Sequence, residues 1–209
     1  MSIPNYYEAF QNEALKCHQC HNKGLLDEKA RPLFQKCLPS DKERVIVVLE
    51  APNHDDTHNP SKGYITCDAT TDPTGRFLLR LLEACGLELT DVVLTNSVLC
   101  LPQQANGAYK VKTTHVHNCT PLLRHLITKS GIPVVATFGR PALHAVQRQF
   151  GQKRLAMSEA VARNIPLTNG VTLLPFFHPS ALGRRNRSES AQLQDILALR
   201  DILRPTSNR

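Results

Sequence analysis

The chain has 209 residues, 41% of them hydrophobic and only 5% aromatic, so it can fill one sizeable and mostly aliphatic core. We expect one domain over residues 1–209, because a second core would leave roughly 100 residues for each half. The 25 lysines and arginines exceed the 18 aspartates and glutamates by seven, which favours a polyanionic partner such as nucleic acid. No apolar run approaches the ~18 residues of a membrane span and no export signal is evident, so we expect a cytoplasmic protein without membrane contact.

The first motif in the chain is a pair of cysteines after a short predicted helix. Residues 5–18 predict an amphipathic helix with Tyr6, Phe10 and Leu15 on its buried face. The helix leads into C-x-x-C-H at residues 17–21, which sets two thiolates on one tight turn. This spacing suits zinc, an iron–sulfur cluster or a redox dithiol. It is also the signature of covalent haem attachment, which normally belongs to exported proteins.

Four aliphatic runs predict the strands of a parallel sheet, with helical patterns between them. The runs span residues 45–50, 91–96, 131–139 and 171–177. One helix is predicted to open at Cys119, another to begin at Pro141, and the closing helix to span residues 190–203. This alternation predicts an α/β fold, a three-layer αβα sandwich with a central, four-stranded, mainly parallel sheet.

Polar side chains stand at or directly after the ends of three predicted strands. Glu50 ends the first strand, Asn96 ends the second, and His178 follows the fourth. Ligands of open α/β sheets bind beyond the carboxyl ends of the strands, so these residues are candidates for a functional site. The alternatives are a solvated loop after Glu50 and a histidine at position 178 that caps a turn.

Two further stretches are candidates for function. Residues 57–75 form a loop of a length that is usually functional or mobile in a compact domain. Small, apolar and strongly basic residues follow His178, and they are typical either of a polyanion-binding segment or of a solvated run.

Four ordered features of the chain resemble a known family. Cys17, Cys20, Cys100 and Cys119 stand in the order C-x2-C, about eighty residues, C, about eighteen residues, C. Leu49-Glu-Ala-Pro-Asn53 is similar to the motif G-E-A-P-G, Leu94-Thr-Asn-Ser-Val-Leu-Cys100 to a strand that ends in Asn, and His178-Pro-Ser-Ala-Leu182 to H-P-S-x-L. Together they resemble the 4Fe–4S frame and the motifs of the family-4 and family-5 uracil-DNA glycosylases.

The resemblance implies a monofunctional DNA-repair hydrolase of base excision repair, a monomer that removes uracil or a related deaminated base from DNA. Such an enzyme takes the base out of the duplex, holds its hydrogen-bonding edge and cleaves its bond to the sugar. The Asn96 amide would read the uracil edge, and His178 would donate to uracil O2 as negative charge develops there. Leu182 would be the wedge that enters the vacated stack. Flanking DNA contacts would come from Ser180, Arg184, Arg185 and Arg187.

The group that activates water is less directly indicated. Tyr64-Ile-Thr-Cys-Asp68 resembles the family-5 stretch F-T-G followed by an acidic residue. Asp68 would then orient water or stabilise the sugar cation, with Glu50 as the alternative and Ala51 beside the base as in families 4 and 5. Ile65 stands where a base-stacking Phe is expected and Cys67 where a Gly is expected, so stacking would be weaker or would fall to Tyr64.

The resemblance also implies a structural 4Fe–4S cluster held by the four cysteines, which would tie an N-terminal segment (residues 1–40) to the domain. Zinc is the alternative occupant, and His115 and His117 are alternative ligands. Cys37, Cys67 and Cys85 have no partner at metal spacing. Two other functions remain open: a non-catalytic iron–sulfur protein that binds DNA, and a zinc-stabilised α/β protein that acts on free nucleotides.

Overall fold

The structure, a computed structural model, describes residues 4–36, 43–59, 62–65, 67 and 69–204. In this part of the chain a five-stranded sheet has the order β2-β1-β5-β7-β6, and β3 pairs with β4 in a separate hairpin. The strands are β1 (Val45–Leu49), β2 (Val92–Asn96), β3 (Gln104–Ala105), β4 (Ala108–Tyr109), β5 (Val134–Phe138), β6 (Ile165–Pro166) and β7 (Thr172–Phe176).

The described helices cover both faces of this sheet. They are α1 (Asn5–Leu15), α2 (His54–His58), α3 (Pro73–Ala84), α4 (Thr113–Ser130), α5 (Arg140–Gln149), α6 (Met157–Ala160), α7 (Ala181–Asn186), α8 (Glu189–Asp195) and α9 (Leu197–Leu203). Short 3-10 helices lie at His21–Lys23, Leu89–Asp91 and Thr168–Gly170. None of the helices in the described ranges combines the length and the apolar character that a bilayer crossing requires.

The aliphatic runs form strands that are buried on both faces. Along β1, Ile46 and Val48 pack on the side of α1, α4 and α5, whereas Val45 and Val47 pack on the side of α3 and α9. This alternation is the period of two that a strand imposes on its side chains. The predicted α/β fold with a mainly parallel sheet between helices is therefore confirmed.

The sheet has five strands where the sequence predicts four. The additional strand, β6, contains only two residues, one of them Pro166, and runs antiparallel to β7. A segment this short has no detectable hydrophobic periodicity, and a proline is tolerated there because β6 is an edge strand.

Three helix predictions need correction. The buried face of α1 consists of Tyr7, Phe10 and Ala14, while Leu15 is 59% exposed. Helix α4 begins at Thr113, so Cys119 lies within it and does not open it. The predicted closing helix consists of two helices, α8 and α9, which meet at Ile196.

Residues 25–33 run along the segment that follows β2. The Leu33 N–H donates to the Leu99 carbonyl at 2.9 Å, and the Asp27 N–H donates to the Leu101 carbonyl at 3.1 Å. Buried His115 reinforces the contact, because its Nδ1 accepts from the Lys112 N–H and its Nε2 bonds the Leu25 carbonyl, both at 2.9 Å. Both ring nitrogens of His115 are thus engaged with the backbone, so His115 is not placed as a metal ligand.

Candidate active site

A small cavity of about 140 Å³ lies at the carboxyl edge of the parallel strands. Its walls come from the ends of β1, β2 and β7, from α2, from residues 65 and 67, and from the start of α3. The lining residues are Leu49, Ala51, Asn53, Asp56, Ile65, Cys67, Asp72, Thr74, Gly75, Leu78, Asn96 and His178. The fold thus brings four of the predicted site residues together, namely Ala51, Ile65, Asn96 and His178.

Asn96, the last residue of β2, presents a buried amide to this cavity. The residue is 2% exposed, and neither its Nδ2 nor its Oδ1 has a hydrogen-bond partner among the described residues. An unpaired buried polar group costs about 1–3 kcal/mol, so native proteins rarely keep one without a use for it. A ligand with an adjacent donor and acceptor would satisfy both atoms at once.

His178 faces the same cavity as a neutral hydrogen-bond donor. The backbone N–H of Ser180 donates to its Nδ1 at 3.2 Å, so the proton of the neutral ring lies on Nε2. Burial lowers the pKa of His178 from its ordinary value of 6.5 to about 4, against the opposing charge of Asp72. Near pH 7 the ring can donate a hydrogen bond without carrying a positive charge.

Two glycines allow the backbone to pack closely around His178. Gly139, which follows β5 with a φ of +92°, would bring a β-carbon to 3.2 Å from the His178 Cβ. On Gly183 of α7, a β-carbon would lie 1.8 Å from the His178 carbonyl oxygen. Sequence reasoning missed both residues, although Gly183 directly follows the motif H-P-S-A-L and Gly139 ends a predicted strand.

Asp72 supplies a carboxylate to the cavity that the sequence reasoning also missed. It is the N-cap of α3, and its oxygens accept the Thr74 and Gly75 N–H groups at 2.9 Å each. Its position before Pro73 is a recognisable helix-start signal, and that signal indicates capping and not chemistry. The predicted carboxylate, Asp68, lies outside the described residues.

Glu50, the other predicted carboxylate, does not line the cavity. Burial raises the pKa of its side chain, and the charge of Arg140 partly opposes this. Its backbone carbonyl accepts the Ser97 hydroxyl at 2.8 Å and the Val98 N–H at 3.0 Å. The backbone of Glu50 therefore holds the segment that follows Asn96.

The residues of the loop that precedes α3 differ in whether they line the cavity. Tyr64 lies outside the cavity and contacts Lys36, whose Nζ is 3.4 Å from the phenol oxygen and 4.9 Å from the ring centre. Ile65 is 5% exposed and lines the cavity together with Cys67. Burial, with the charges of Asp72 and Asp56, raises the pKa of Cys67 to about 12, so its thiol is neutral.

Segment 180–187 carries an exposed apolar side chain and three arginines in different environments. Leu182 is 67% exposed. Arg184 bonds the Pro179 carbonyl and lies 3.2 Å from Glu189, and Arg187 makes a two-fold contact with Asp195 at 2.6 and 2.7 Å. Arg185 is exposed, and no described residue is its partner.

The hydroxyl of Ser180 accepts the Gly183 N–H at 3.4 Å and thereby caps α7. The pairing of Arg184 with Glu189 ties α7 to α8 in the same way that the pairing of Arg187 with Asp195 does. Two of the three arginines therefore position helices, and Arg185 is the one whose charge remains available.

Cys17, Cys20, Cys100 and Cys119 share one neighbourhood. Burial, with the charges of Cys20 and Cys17, raises the pKa of Cys119 to about 12. Burial also raises the pKa of Cys100, and the charges of Cys119, Cys20 and Cys17 act in the same direction. Cys20 and Cys119 are buried, and the Asn118 amide donates to the Cys20 sulfur at 3.2 Å. Within the described residues, no group of three or more His, Cys, Asp or Glu side chains stands ready to hold a metal ion.

The remaining cysteines have separate environments. Cys85 is buried, and its sulfur bonds the Ile196 carbonyl at 3.2 Å, so it fills space between α3 and α9. Cys37 lies outside the described residues.

A comparison with curated proteins finds no match. A sequence model of the Uracil DNA glycosylase superfamily matches residues 36–199, more than three quarters of the chain. The matched span contains the whole cavity, segment 180–187, Cys100 and Cys119, and it begins after Cys17 and Cys20. The cavity at the carboxyl edge, the buried amide of Asn96 and the neutral His178 therefore lie within a recognised family domain, and the chain belongs to the uracil DNA glycosylase superfamily.

Proposed function

We propose that this protein is a monofunctional DNA glycosylase that hydrolyses the bond between the sugar and uracil, or a related deaminated base. The observation that carries this proposal is the buried amide of Asn96, which faces a small cavity and has no partner in the described part of the chain. Membership of the superfamily supports the reaction class.

Asn96 is suited to read the edge of a deaminated base. Uracil presents a ring N–H beside a carbonyl oxygen, and the amide offers an acceptor and a donor with matching spacing. Hypoxanthine and xanthine share this pair of groups. The volume of about 140 Å³ is far below the ~300–1,000 Å³ of pockets for drug-sized ligands, which favours the single ring of uracil over a purine.

His178 is suited to stabilise the departing base. As the glycosidic bond breaks, negative charge develops on the base and on its carbonyl O2. The Nε2–H of neutral His178 would donate to this oxygen, and such a preorganised donor lowers the barrier because it need not reorient during the reaction. The low pKa of His178 makes it a hydrogen-bond donor rather than an acid.

We assign to Asp72 the stabilisation of the sugar cation or the orientation of the attacking water. Its carboxylate lines the cavity, and the two backbone N–H groups that it accepts hold it in a fixed orientation. A carboxylate has about four acceptor positions, so these two bonds leave others for water or for the sugar. Asp68, assigned by the resemblance to the family-5 stretch, is the alternative.

DNA is the proposed partner, and Leu182 is the proposed wedge. A side chain this apolar and 67% exposed on a short helix beside the cavity fits insertion between base steps. Arg185 is the residue of this segment with a charge available for a flanking phosphate, whereas Arg184 and Arg187 keep α7 and α8 in position.

We further propose that Cys17, Cys20, Cys100 and Cys119 hold a 4Fe–4S cluster, with zinc as the alternative occupant. The chemistry of the donor set fits, because four cysteine thiolates ligate such a cluster. The four thiols come from three separate segments, and the charges of Cys17 and Cys20 help to raise the pKa of Cys100 and Cys119. When bound, the group would supply a crosslink between residues 17–20, the segment after β2 and α4. Iron and sulfide in the purified protein, with broad visible absorbance, would support the cluster; a colourless protein with one equivalent of zinc would identify zinc.

Alkali treatment tests the function directly. After incubation with a uracil-containing oligonucleotide, alkali should break the strand at the uracil position and not in a buffer control. The panel should include hypoxanthine and xanthine, since all three bases share the edge that Asn96 reads. No strand break with any of these bases would contradict the proposal and would leave a non-catalytic DNA-binding protein.

A further inference from the structure

A second, larger cavity lies on the opposite side of α5 from the sheet core, and the active site does not use it. It has a volume of about 700 Å³ and opens between α5 and the beginning of α4. The residues from α5 and the turn after it are Arg140, Pro141, His144, Gln147, Arg148, Gly151 and Gln152. Their spacing of three and four residues is that of one helix face, so the cavity is a groove along α5.

The groove is strongly basic. Lys112, Arg140, Arg148 and Arg154 line it, and no carboxylate is among its lining residues in the described chain. All four side chains belong to exposed residues, and none makes an ion pair within 4 Å with a described residue. Arg184 and Arg187 of segment 180–187 are, by contrast, paired with carboxylates.

The positive charge of the groove acts on His144. His144 lies between Arg140 and Arg148 on α5, and its Nε2 is 3.2 Å from the Arg154 Nε and from the Leu155 carbonyl. Burial lowers the pKa of His144, and the charges of Arg154 and Arg140 act in the same direction, while the Leu155 carbonyl opposes them. A cavity that concentrates unpaired positive charge attracts a polyanion and raises its local concentration.

One end of the groove lies next to the active site. Arg140 directly follows Gly139, which packs against His178. Burial raises the pKa of Glu50, the residue between Leu49 and Ala51 of the active-site cavity, and the charge of Arg140 partly opposes this rise. A strand held in the groove would therefore pass directly from the α5 face to the cavity edge.

We propose that this groove binds the sugar–phosphate backbone of the nucleic acid strand beside the target base. The ten residues of α5 extend for about 15 Å, a length that a few consecutive nucleotides of one strand can span. Arg140 and Arg148 stand along this length, and Lys112 and Arg154 line the groove from the start of α4 and from the segment after α5. The assignment to the strand that carries the target base rests on the proposed glycosylase function, whereas the binding of phosphates does not.

The salt dependence of binding tests the groove. The double variant Arg148→Gln with Arg154→Gln removes two cations from exposed positions, and the control Lys129→Gln with Lys153→Gln removes two exposed cations that do not line it. Affinity for an undamaged single-stranded oligonucleotide is measured by fluorescence anisotropy at several salt concentrations. We expect the groove variant to bind at least about tenfold more weakly, with a log–log salt slope smaller by about 1.4, and the control to change little.

Lys112→Gln, on the opposite wall of the groove, gives a second and independent variant, expected to reduce the slope by about 0.7. Unfolding midpoints of all variants separate loss of binding from loss of fold. An unchanged slope in both folded groove variants would overturn the proposal.

Two further experiments test whether the groove binds a strand or free phosphates, and whether the glycosylase proposal holds independently of the groove. Affinity should rise as the oligonucleotide is lengthened from one nucleotide to several, because each further phosphate can contact a cation of the groove. Pyrophosphate that binds as tightly as the longer oligonucleotide would overturn the strand assignment. Asn96→Ala should abolish excision and leave binding of undamaged strands unchanged; a wild-type protein that binds strands through the groove but excises no base would refute the glycosylase proposal alone.

Discussion

Gly183 lies so close to His178 that a β-carbon on the glycine would stand 1.8 Å from the histidine's carbonyl oxygen. The first turn of α7 is therefore packed directly onto the backbone of the residue that faces the cavity. Any side chain at position 183 would have to move either α7, with Leu182, or His178. The proposed wedge, Leu182, and the proposed donor to the leaving base, His178, are thus positioned by one contact.

Gly183→Ala should lower both stability and excision. Overpacking of this kind costs roughly 1–3 kcal/mol, and the shift of His178 should reduce the excision rate further. Thermal unfolding and single-turnover excision measure the two effects. Gly107→Ala is the control, since Gly107 has a φ of +77° but open space where a β-carbon would lie. Equal excision by the Gly183→Ala variant and the wild type would contradict the assigned role of this contact.

Asn96→Ala should abolish excision without destabilising the fold. The amide makes no hydrogen bond to the described residues, so its removal eliminates two unpaired polar atoms and leaves stability unchanged or higher. Loss of the two proposed hydrogen bonds to the base should reduce the excision rate by roughly 100-fold or more. A variant that unfolds at a markedly lower temperature would indicate a structural role for Asn96.

Acid should destabilise the protein through His178. Its pKa is about 4 in the folded protein and 6.5 when unperturbed, so between these values the unfolded chain binds a proton that the folded protein does not. Stability should therefore fall as the pH is lowered from 6.5 towards 4, by about 3 kcal/mol at most from this group. Denaturant unfolding at pH 7 and pH 5 should show a smaller difference for His178→Gln than for the wild type.

The same titration predicts the pH profile of excision. Neutral His178 carries its proton on Nε2 while Nδ1 accepts the Ser180 N–H, and protonation of Nδ1 would break that bond. Single-turnover excision should persist as the pH falls from 7 to 5 and decline as the pH approaches 4. A decline centred near pH 6.5 would show that the ring titrates as an unperturbed histidine.

Asp72→Asn separates helix capping from chemistry. Asn caps helices about as well as Asp, so the variant should retain its stability. It should lose excision by about 100-fold or more, because an amide carries no negative charge to stabilise the sugar cation or activate water. Asp72→Ser should behave similarly. Full activity of Asp72→Asn together with loss of activity in Asp68→Asn would assign the role to Asp68.

Leu182→Ala should reduce excision from duplex DNA more than from single strands. The wedge compensates for unstacking, which costs a few kcal/mol in a duplex and little in a single strand. Leu15→Ala is a matched control, because Leu15 is 59% exposed on α1 and Leu182 is 67% exposed on α7. Equal losses on both substrates would argue against a wedge.

The fold and the central pair of site residues could be predicted because they depend on local patterns. Buried aliphatic runs such as Val45–Leu49 form strands, and strands that alternate with helices form a parallel sheet with one carboxyl edge. Asn96 ends β2 and His178 follows the end of β7, so the topology alone brings them to that edge. The short β6 and the break at Ile196 were missed because neither leaves a periodic signal.

The roles of the cations depended on contacts between distant residues. Segment 180–187 reads as a polyanion-binding run, yet Arg184 and Arg187 are paired with Glu189 and Asp195. Lys112 and Arg154, which are 42 positions apart in the chain, line one groove, and neither pairs with a carboxylate among the described residues. The choice of partner for a long side chain is set by distances in three dimensions, which sequence patterns do not encode.

By itself, the sequence determined the α/β architecture, the family resemblance and the position of Asn96 and His178, because periodicity and chain order are local properties. Only the tertiary structure decided that Asn96 has no partner among the described residues, that Gly139 and Gly183 pack on His178, and that Asp72 faces the cavity. Each of these properties depends on which groups are buried and how closely the elements approach one another. Both are set by packing between residues that are distant in the sequence.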